Sequence, residues 1–179
     1  MQKNALLCWM LLFVFLSLSS HAQRRGDSYV KITNSYLIKR FDLDSIQSIL
    51  FVFEGDGEIF VSKYLDLAER LKRRWKRRAK VGFRYNLKYK NEEMAEFIDL
   101  PQDKNSQIVH DFQCKIRSYH FRKKIYHGIY RYSYLMNIEL IDPKTNELIE
   151  FGQLKISSSR HVTDTNRAVT RLMDLLIKQ

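Results

Sequence analysis

The chain has 179 residues, enough for one domain with its own hydrophobic core. Two prolines and six glycines exclude a collagen-like or low-complexity polymer, and ten tyrosines with eleven phenylalanines argue for a folded chain. Thirty-one Lys and Arg stand against 20 Asp and Glu, a formal net charge of +11. That excess either favours anionic partners or keeps a small protein soluble.

At the N-terminus, Lys3 gives a short positive region and Ala5 to Leu18 is almost unbroken apolar sequence. The run is short for a membrane span, and Ser20 and Ala22 place small residues at the −3 and −1 positions of a cut before Gln23. The pattern predicts a cleaved signal peptide over 1–22 and a single domain over 23–179, periplasmic or secreted, with no transmembrane segment in the mature chain. No cysteine stands at the cut, so a lipid anchor is not indicated. Cleavage removes Cys8 and leaves Cys114, which reads as a small buried hydrophobe rather than a reactive thiol.

Gln23 to Asp27 reads as a frayed start. Tyr29 to Phe41 supplies an edge strand or an irregular cover through Val30, Ile32, Tyr36, Leu37 and Ile38. Ser48 to Phe53 is an apolar, β-branched and aromatic run ended by glycine turn signals, which predicts a buried strand. Glu54 to Glu58 alternates acids with glycines and resembles part of a calcium loop, but the twelve-position pattern is absent. A turn better explains Gly55 and Gly57, with Asp56 and Glu58 placed favourably at a helix start. From Ile59 to Arg78, Phe60, Tyr64, Leu67, Ala68, Leu71 and Trp75 recur at three- and four-residue intervals, the stripe of an amphipathic helix. Lys63, Asp66, Glu69, Arg70, Arg73, Lys76 and Arg77 are expected on its solvent side.

The end of this helix is the densest feature of the chain. Residues 70–80 hold eight cations in eleven positions. Cations near a helix C-terminus gain about 0.3–1 kcal/mol each, yet like charges three and four apart repel. Arg73, Arg74, Arg77 and Arg78, joined by Arg84 and Lys88 on the next strand, are therefore the candidate site for an anionic partner. A solvated helix end is the competing reading, and Trp75 belongs to the buried stripe.

Val81 to Lys90 alternates Phe83, Tyr85, Leu87 and Tyr89 with Arg84, Asn86, Lys88 and Lys90, a half-buried strand. Residues 91–115 read as an excursion: helical turns over 92–98, a turn at Leu100 to Asp103, and a short helix over 105–112 with Ile108 and Phe112 inward. This stretch either covers a cleft or simply connects. Ile116 to Ser159 has strand periodicity, with turns at His127-Gly128 and at Asp142 to Glu147. The last helix starts near Asp164, with Ala168, Val169, Leu172, Met173, Leu175 and Leu176 as its apolar side.

No catalytic constellation emerges. Ser157-Ser158-Ser159-Arg160-His161 lacks a nucleophile turn and reads as a polar connection, the histidines lack metal spacing, and no phosphate loop or other cofactor motif is present. A hydrolase stays the remotest of the alternatives, and export argues against intracellular nucleic acid.

Together these elements predict an α+β fold: a mixed, largely antiparallel sheet covered by two amphipathic helices in one domain. With the hairpin from Tyr134 through Asp142, Asn146 and Glu150, the order resembles the N-terminal α/β module of periplasmic TolB and the outer-membrane activators of penicillin-binding proteins. Asn146 stands where that hairpin usually has glycine. The activators carry a lipid-anchor cysteine that this chain lacks at its cut, and the propeller of TolB is not among these residues. The resemblance implies a non-enzymatic, protein-binding module of the cell envelope. Binding of an anionic polymer or phospholipid through 70–80 is the alternative.

Overall fold

The computed structural model describes residues 28–38, 46–90, 100–101, 103–159 and 161–176. The signal peptide expected over 1–22, the frayed start expected over 23–27 and the helical turns expected over 92–98 lie outside the described residues. The elements are β1 (Tyr29–Leu37), β2 (Ser48–Asp56), α1 (Gly57–Trp75), β3 (Lys80–Lys88), a 3-10 turn (Lys104–Gln107), β4 (Phe112–Tyr126), β5 (Ile129–Asp142), β6 (Glu147–Ser159) and α2 (Asn166–Leu176). Six strands form one sheet in the order β1-β6-β5-β4-β2-β3. β2 runs parallel to both β3 and β4, and every other pair is antiparallel. The fold is the expected α+β domain with a largely antiparallel sheet and two helices. No helix among the described residues is long and apolar enough to cross a membrane.

β2 is buried on both faces from Ser48 to Phe53. Ile49, Phe51 and Phe53 face the helices and join one core with Leu67, Leu71, Met136, Leu154, Val169 and Met173. On the other face, Val52 is flanked by Arg84 and Lys115, whose long stems can shield an apolar neighbour while their charged heads stay in water. Aromatic rings bind the helix-side layer. Phe53 stacks on Tyr64 at 4.9 Å and on Tyr85 at 5.3 Å, and Phe51 on Phe83 at 5.8 Å.

No separate loop links β2 to α1. Gly55, at φ +136°, lets the strand turn directly into the helix, and the Asp56 carboxylate caps it by accepting from the Ile59 amide at 3.2 Å. The helix starts at Gly57 and stops at Trp75, three residues before the expected Arg78.

The edge strand at the N-terminal end is real: β1 pairs with β6. At the other edge, residues 103–110 wrap β3. The Asp103 carboxylate accepts from the Phe83 backbone amide at 3.0 Å, and Asn105 Nδ2 donates to the Val81 carbonyl at 3.2 Å. This satisfies edge groups that would otherwise pair with another chain. The short helix expected over 105–112 is only the 3-10 turn, because Asp111 caps the start of β2 and Phe112 already begins β4. Ile108 lies exposed rather than inward. Both turns expected between Ile116 and Ser159 are present. His127 (φ 48°) and Gly128 (φ 75°) have the two positive angles of a tight hairpin, and Asn146 (φ 57°) takes its left-handed position without a glycine.

The helices differ most from expectation where they touch. α2 starts at Asn166, not Asp164, and turns Val169, Met173 and Leu176 to the core. Ala168 and Leu175 face out, Leu175 at 56% exposure. Asn166, Thr170 and Asp174, spaced by four, are buried instead and point a polar edge at α1. There Lys63, expected on the solvent side, is 0% exposed. Its Nζ donates to Asn166 Oδ1 at 2.6 Å and lies 5.0 Å from the Tyr134 ring centre. Asn166 Nδ2 donates to the Lys63 carbonyl and to Asp66 Oδ2, each at 2.8 Å. A three-four pattern assigns polar residues to water unless another element supplies partners, and here α2 does.

Two stability measurements check this packing. Leu71→Ala, at a fully buried position, should lose about 2–5 kcal/mol in denaturant unfolding; a loss near zero would mean that the stripe is exposed. Lys63 gives a pH signature. Burial lowers its amine from 10.5 to about 7, and Asp66 only partly opposes the shift. Below the folded value the group is charged in both states. Between the two values the unfolded chain holds a proton that the folded chain does not, so the Lys63 contribution to stability rises with pH through that window. The stability difference between wild type and Lys63→Met should therefore shift in favour of wild type from pH 7 to pH 10. A difference independent of pH would contradict the buried placement.

Candidate functional site

α1 and α2 lie side by side, and the seam opens into a groove of 340 Å³ lined by Arg70, Arg73, Arg74, Arg167, Thr170 and Arg171. The arginines of α1 are spaced i, i+3 and i+4, and those of α2 i and i+4, so each helix presents its set on one flank. The buried amide of Asn166 fixes the two flanks opposite one another.

Acids hold three of these cations. Arg70 Nε donates to Asp66 Oδ2 and Arg73 Nη2 to Glu69 Oε2, each at 2.7 Å. Burial pushes the Asp66 carboxyl up, but hydrogen bonds from Arg70 and Asn166 and the charges of Arg70 and Lys63 outweigh it and hold the group below its usual range. Arg74 Nε donates to Asp174, whose carboxylate is buried, and Arg78 stands 3.9 Å from the same oxygen. Among the described residues, Arg167 and Arg171 have no acidic partner within ion-pair distance. Exposed pairs such as Arg73–Glu69 are worth little, so these forks remain open to a stronger anion. Arg74 differs, since removing it strands a buried carboxylate.

Of the six residues singled out in the sequence, Arg73 and Arg74 line this groove. Arg77 and Arg78 sit just beyond it, with Lys72, Lys76 and Lys80 around a second depression of 510 Å³ at the helix end. Arg84 is on the opposite face of the sheet, where its Nη2 donates to the Ser106 carbonyl at 3.0 Å. Lys88 pairs in register with Asp56 at the start of α1, about 27 Å from the basic end of a helix rising 1.5 Å per residue. The groove gains Arg70, Arg167 and Arg171 in their place. Arg167 and Arg171 share one face of α2 in the sequence, but nothing there says that this face meets α1.

The groups a catalytic reading would need do not converge. The Ser158 hydroxyl donates to the backbone carbonyl of His161, and the Ser159 hydroxyl meets that of Ser28 at 2.9 Å. Among the described residues, two groups that are ordinarily charged at neutral pH are shifted toward neutrality. Lys63 is one; Glu150 is the other, its carboxyl pushed up to about 7 by burial. Lys63 lies against Tyr134, whereas Glu150 pairs with Leu140, six residues or about 20 Å away along β5. Cys114 is free and fully buried, and burial raises its thiol far above the ordinary value. Among the described residues, no three His, Cys, Asp or Glu side chains are grouped to hold a metal.

The chain matches no known protein family and no curated protein in sequence. Solved structures are similar at low level. The PelC dodecamer from Paraburkholderia phytofirmans is 13% identical, with 84% of this chain and 92% of that chain covered at a TM-score of 0.41. Lipoprotein GNA1162 from Neisseria meningitidis is 11% identical, with 74% and 99% covered at 0.42. A PDZ domain protein from Parabacteroides distasonis is 8% identical, with 83% and 35% covered at 0.38. Similarity at this level assigns neither a family nor a function.

Proposed function

We propose that the chain is an exported, non-enzymatic interaction module of the cell envelope that binds an anionic partner through the interhelical arginine groove. The observation that carries this reading is the meeting of five arginines from two helices on one groove. Guanidinium forks match carboxylate and phosphate oxygens two at a time, and neighbouring Arg77 and Arg78 extend the positive field that draws an anion in. The signal peptide expected from the sequence, and the resemblance drawn there to TolB and the activators, support an envelope protein or acidic envelope polymer as partner.

The test uses Arg73, Arg77, Arg167 and Arg171 replaced together by glutamine. Arg74 is kept because Asp174 depends on it. With folding verified by circular dichroism, inorganic polyphosphate is titrated at low and moderate salt, and the same proteins serve as bait in envelope extracts. A hydrogen bond to a charged group is worth about 1.5–3 kcal/mol, so the variant should bind polyphosphate on the order of tenfold more weakly or worse. It should also show a shallower salt dependence and lose the partners that wild type retains. Unchanged affinity and salt slope, with the same proteins captured, would make these arginines solvated helix faces.

A further inference from the structure

The β4–β5 hairpin combines features the groove does not use. Pairing of β2 with β4 ends at Glu54–Arg117, and pairing of β6 with β5 reaches only to Arg131. Past Arg117, β4 has β5 as its neighbour alone, and past Arg131 the hairpin tip extends beyond the rest of the sheet. At its base, the bulge at His120 (φ 54°) reverses the alternation of β4 and turns Phe121 to the helix side. A chain of rings then leads outward from the core. Phe60 meets Phe121 at 5.7 Å, Phe121 stacks on Tyr132 at 5.8 Å, and Tyr132 on Tyr130 at 6.4 Å. Lys123 Nζ closes it, 4.1 Å from the Tyr130 ring centre.

The tip is apolar where a soluble turn would be polar. Ile125 is 68% exposed, Tyr130 44% and Ile129 43%. Register puts Ile125, Tyr130, Tyr132 and Lys123 on one side of the ribbon, and Arg122, Lys124 and Arg131 on the other. The whole stretch between Asp111 and Glu139 contains no acidic residue but carries Lys115, Arg117, Arg122, Lys123, Lys124 and Arg131. Exposed aliphatic and tyrosine side chains, flanked by lysine and arginine stems that can reach sideways, suit the boundary between lipid headgroups and acyl chains. The lack of acids suits an anionic surface in particular.

We infer that the tip of this hairpin, centred on Ile125, Ile129 and Tyr130 with Arg122, Lys123 and Lys124 around it, docks on an anionic lipid bilayer surface. β4 begins beside the basic end of α1 and ends at the tip, fourteen residues or about 45 Å away. The docked hairpin therefore leaves the arginine groove at the other end of the molecule, and the two surfaces can be tested apart.

The purified chain is mixed with vesicles of one part phosphatidylglycerol to three of phosphatidylcholine, and with phosphatidylcholine alone, and binding is read by co-sedimentation at low and moderate salt. Wild type should sediment with the anionic vesicles and not the neutral ones. Each basic residue near such a surface contributes roughly fivefold, so replacing Arg122, Lys123 and Lys124 by glutamine should weaken binding about a hundredfold. Ile125→Ser with Tyr130→Ser, both at exposed positions, should weaken it while leaving the circular dichroism spectrum unchanged. Tyr130→Trp adds a direct reporter against the buried Trp75, and its emission should shift to the blue on the anionic vesicles. Several results would overturn the inference: no binding by wild type, an unshifted Tyr130→Trp emission on sedimented protein, or equal sedimentation of the serine variant. Loss of binding only in the groove variant would do so too. If the serine variant changes self-association in ultracentrifugation but not vesicle binding, the tip is a contact between copies and the inference fails.

Discussion

The two helices are set against each other by one buried amide. Asn166 accepts from the Lys63 amine and donates both to the Lys63 carbonyl and to Asp66. An apolar layer alone would tolerate α2 sliding along α1, since Val169, Met173 and Leu176 could meet other apolar side chains one turn away. The seam does not. A slipped α2 would leave the Lys63 amine and the Asn166 amide without partners, at about 1–3 kcal/mol for each buried polar group and more for a charge. Everything on the outer surface of the helix layer follows from that register, including which arginines of α2 stand across from those of α1.

A second constraint acts where β2 ends. The Tyr64 ring stacks on Phe53, while its hydroxyl accepts from the Ser118 amide and donates to the Glu54 carbonyl, both at 2.9 Å. Strand pairing between β2 and β4 stops at Glu54–Arg117, so the Ser118 amide would otherwise be buried without an acceptor. One side chain of α1 thus fills the core and completes the ladder at the point where the sheet narrows. Past it, β4 has β5 as its neighbour alone, β5 stays paired with β6 as far as Arg131–Ser159, and the tip of the hairpin is a two-stranded ribbon, a form that is marginal by itself. The stack from Phe60 through Phe121 to Tyr132 ties the base of that ribbon to α1.

The elements legible in the sequence are those whose partners are close in the chain or whose period repeats. The stripe from Phe60 to Trp75 is buried as its spacing requires, and Asp142 to Glu147 turns as its composition requires. Lys63, Thr170 and Asp174 were not legible, because a buried polar residue looks like a solvent-facing one until its partner is known. For Lys63 that partner lies 103 residues away. The same cause misplaced Leu175: the polar edge of α2 has to face α1, which rotates the leucine outward. The candidate site divides along the same line. The density of cations over 70–80 announces itself, whereas Arg167 and Arg171 are two ordinary polar positions of a helix until the seam sets them across from Arg70, Arg73 and Arg74.

The two cationic surfaces differ in kind, and the difference lies in where the acids are. On α1, Asp66 and Glu69 stand four residues before Arg70 and Arg73 and hold their guanidinium groups by hydrogen bonds. A planar guanidinium fork is itself preorganised and loses less side-chain freedom per hydrogen bond when it meets an anion, so such a surface can discriminate by geometry as well as by charge. The hairpin has no acid of its own between Asp111 and Glu139, and its lysines are strongly hydrated point charges on flexible stems. A surface of that type responds to charge density rather than to the shape of a single group, and its attraction decays within about 8 Å at physiological salt. Two cationic regions of one small chain therefore need not compete for the same anion. On the proposed reading, one fits a group and the other rests against a field.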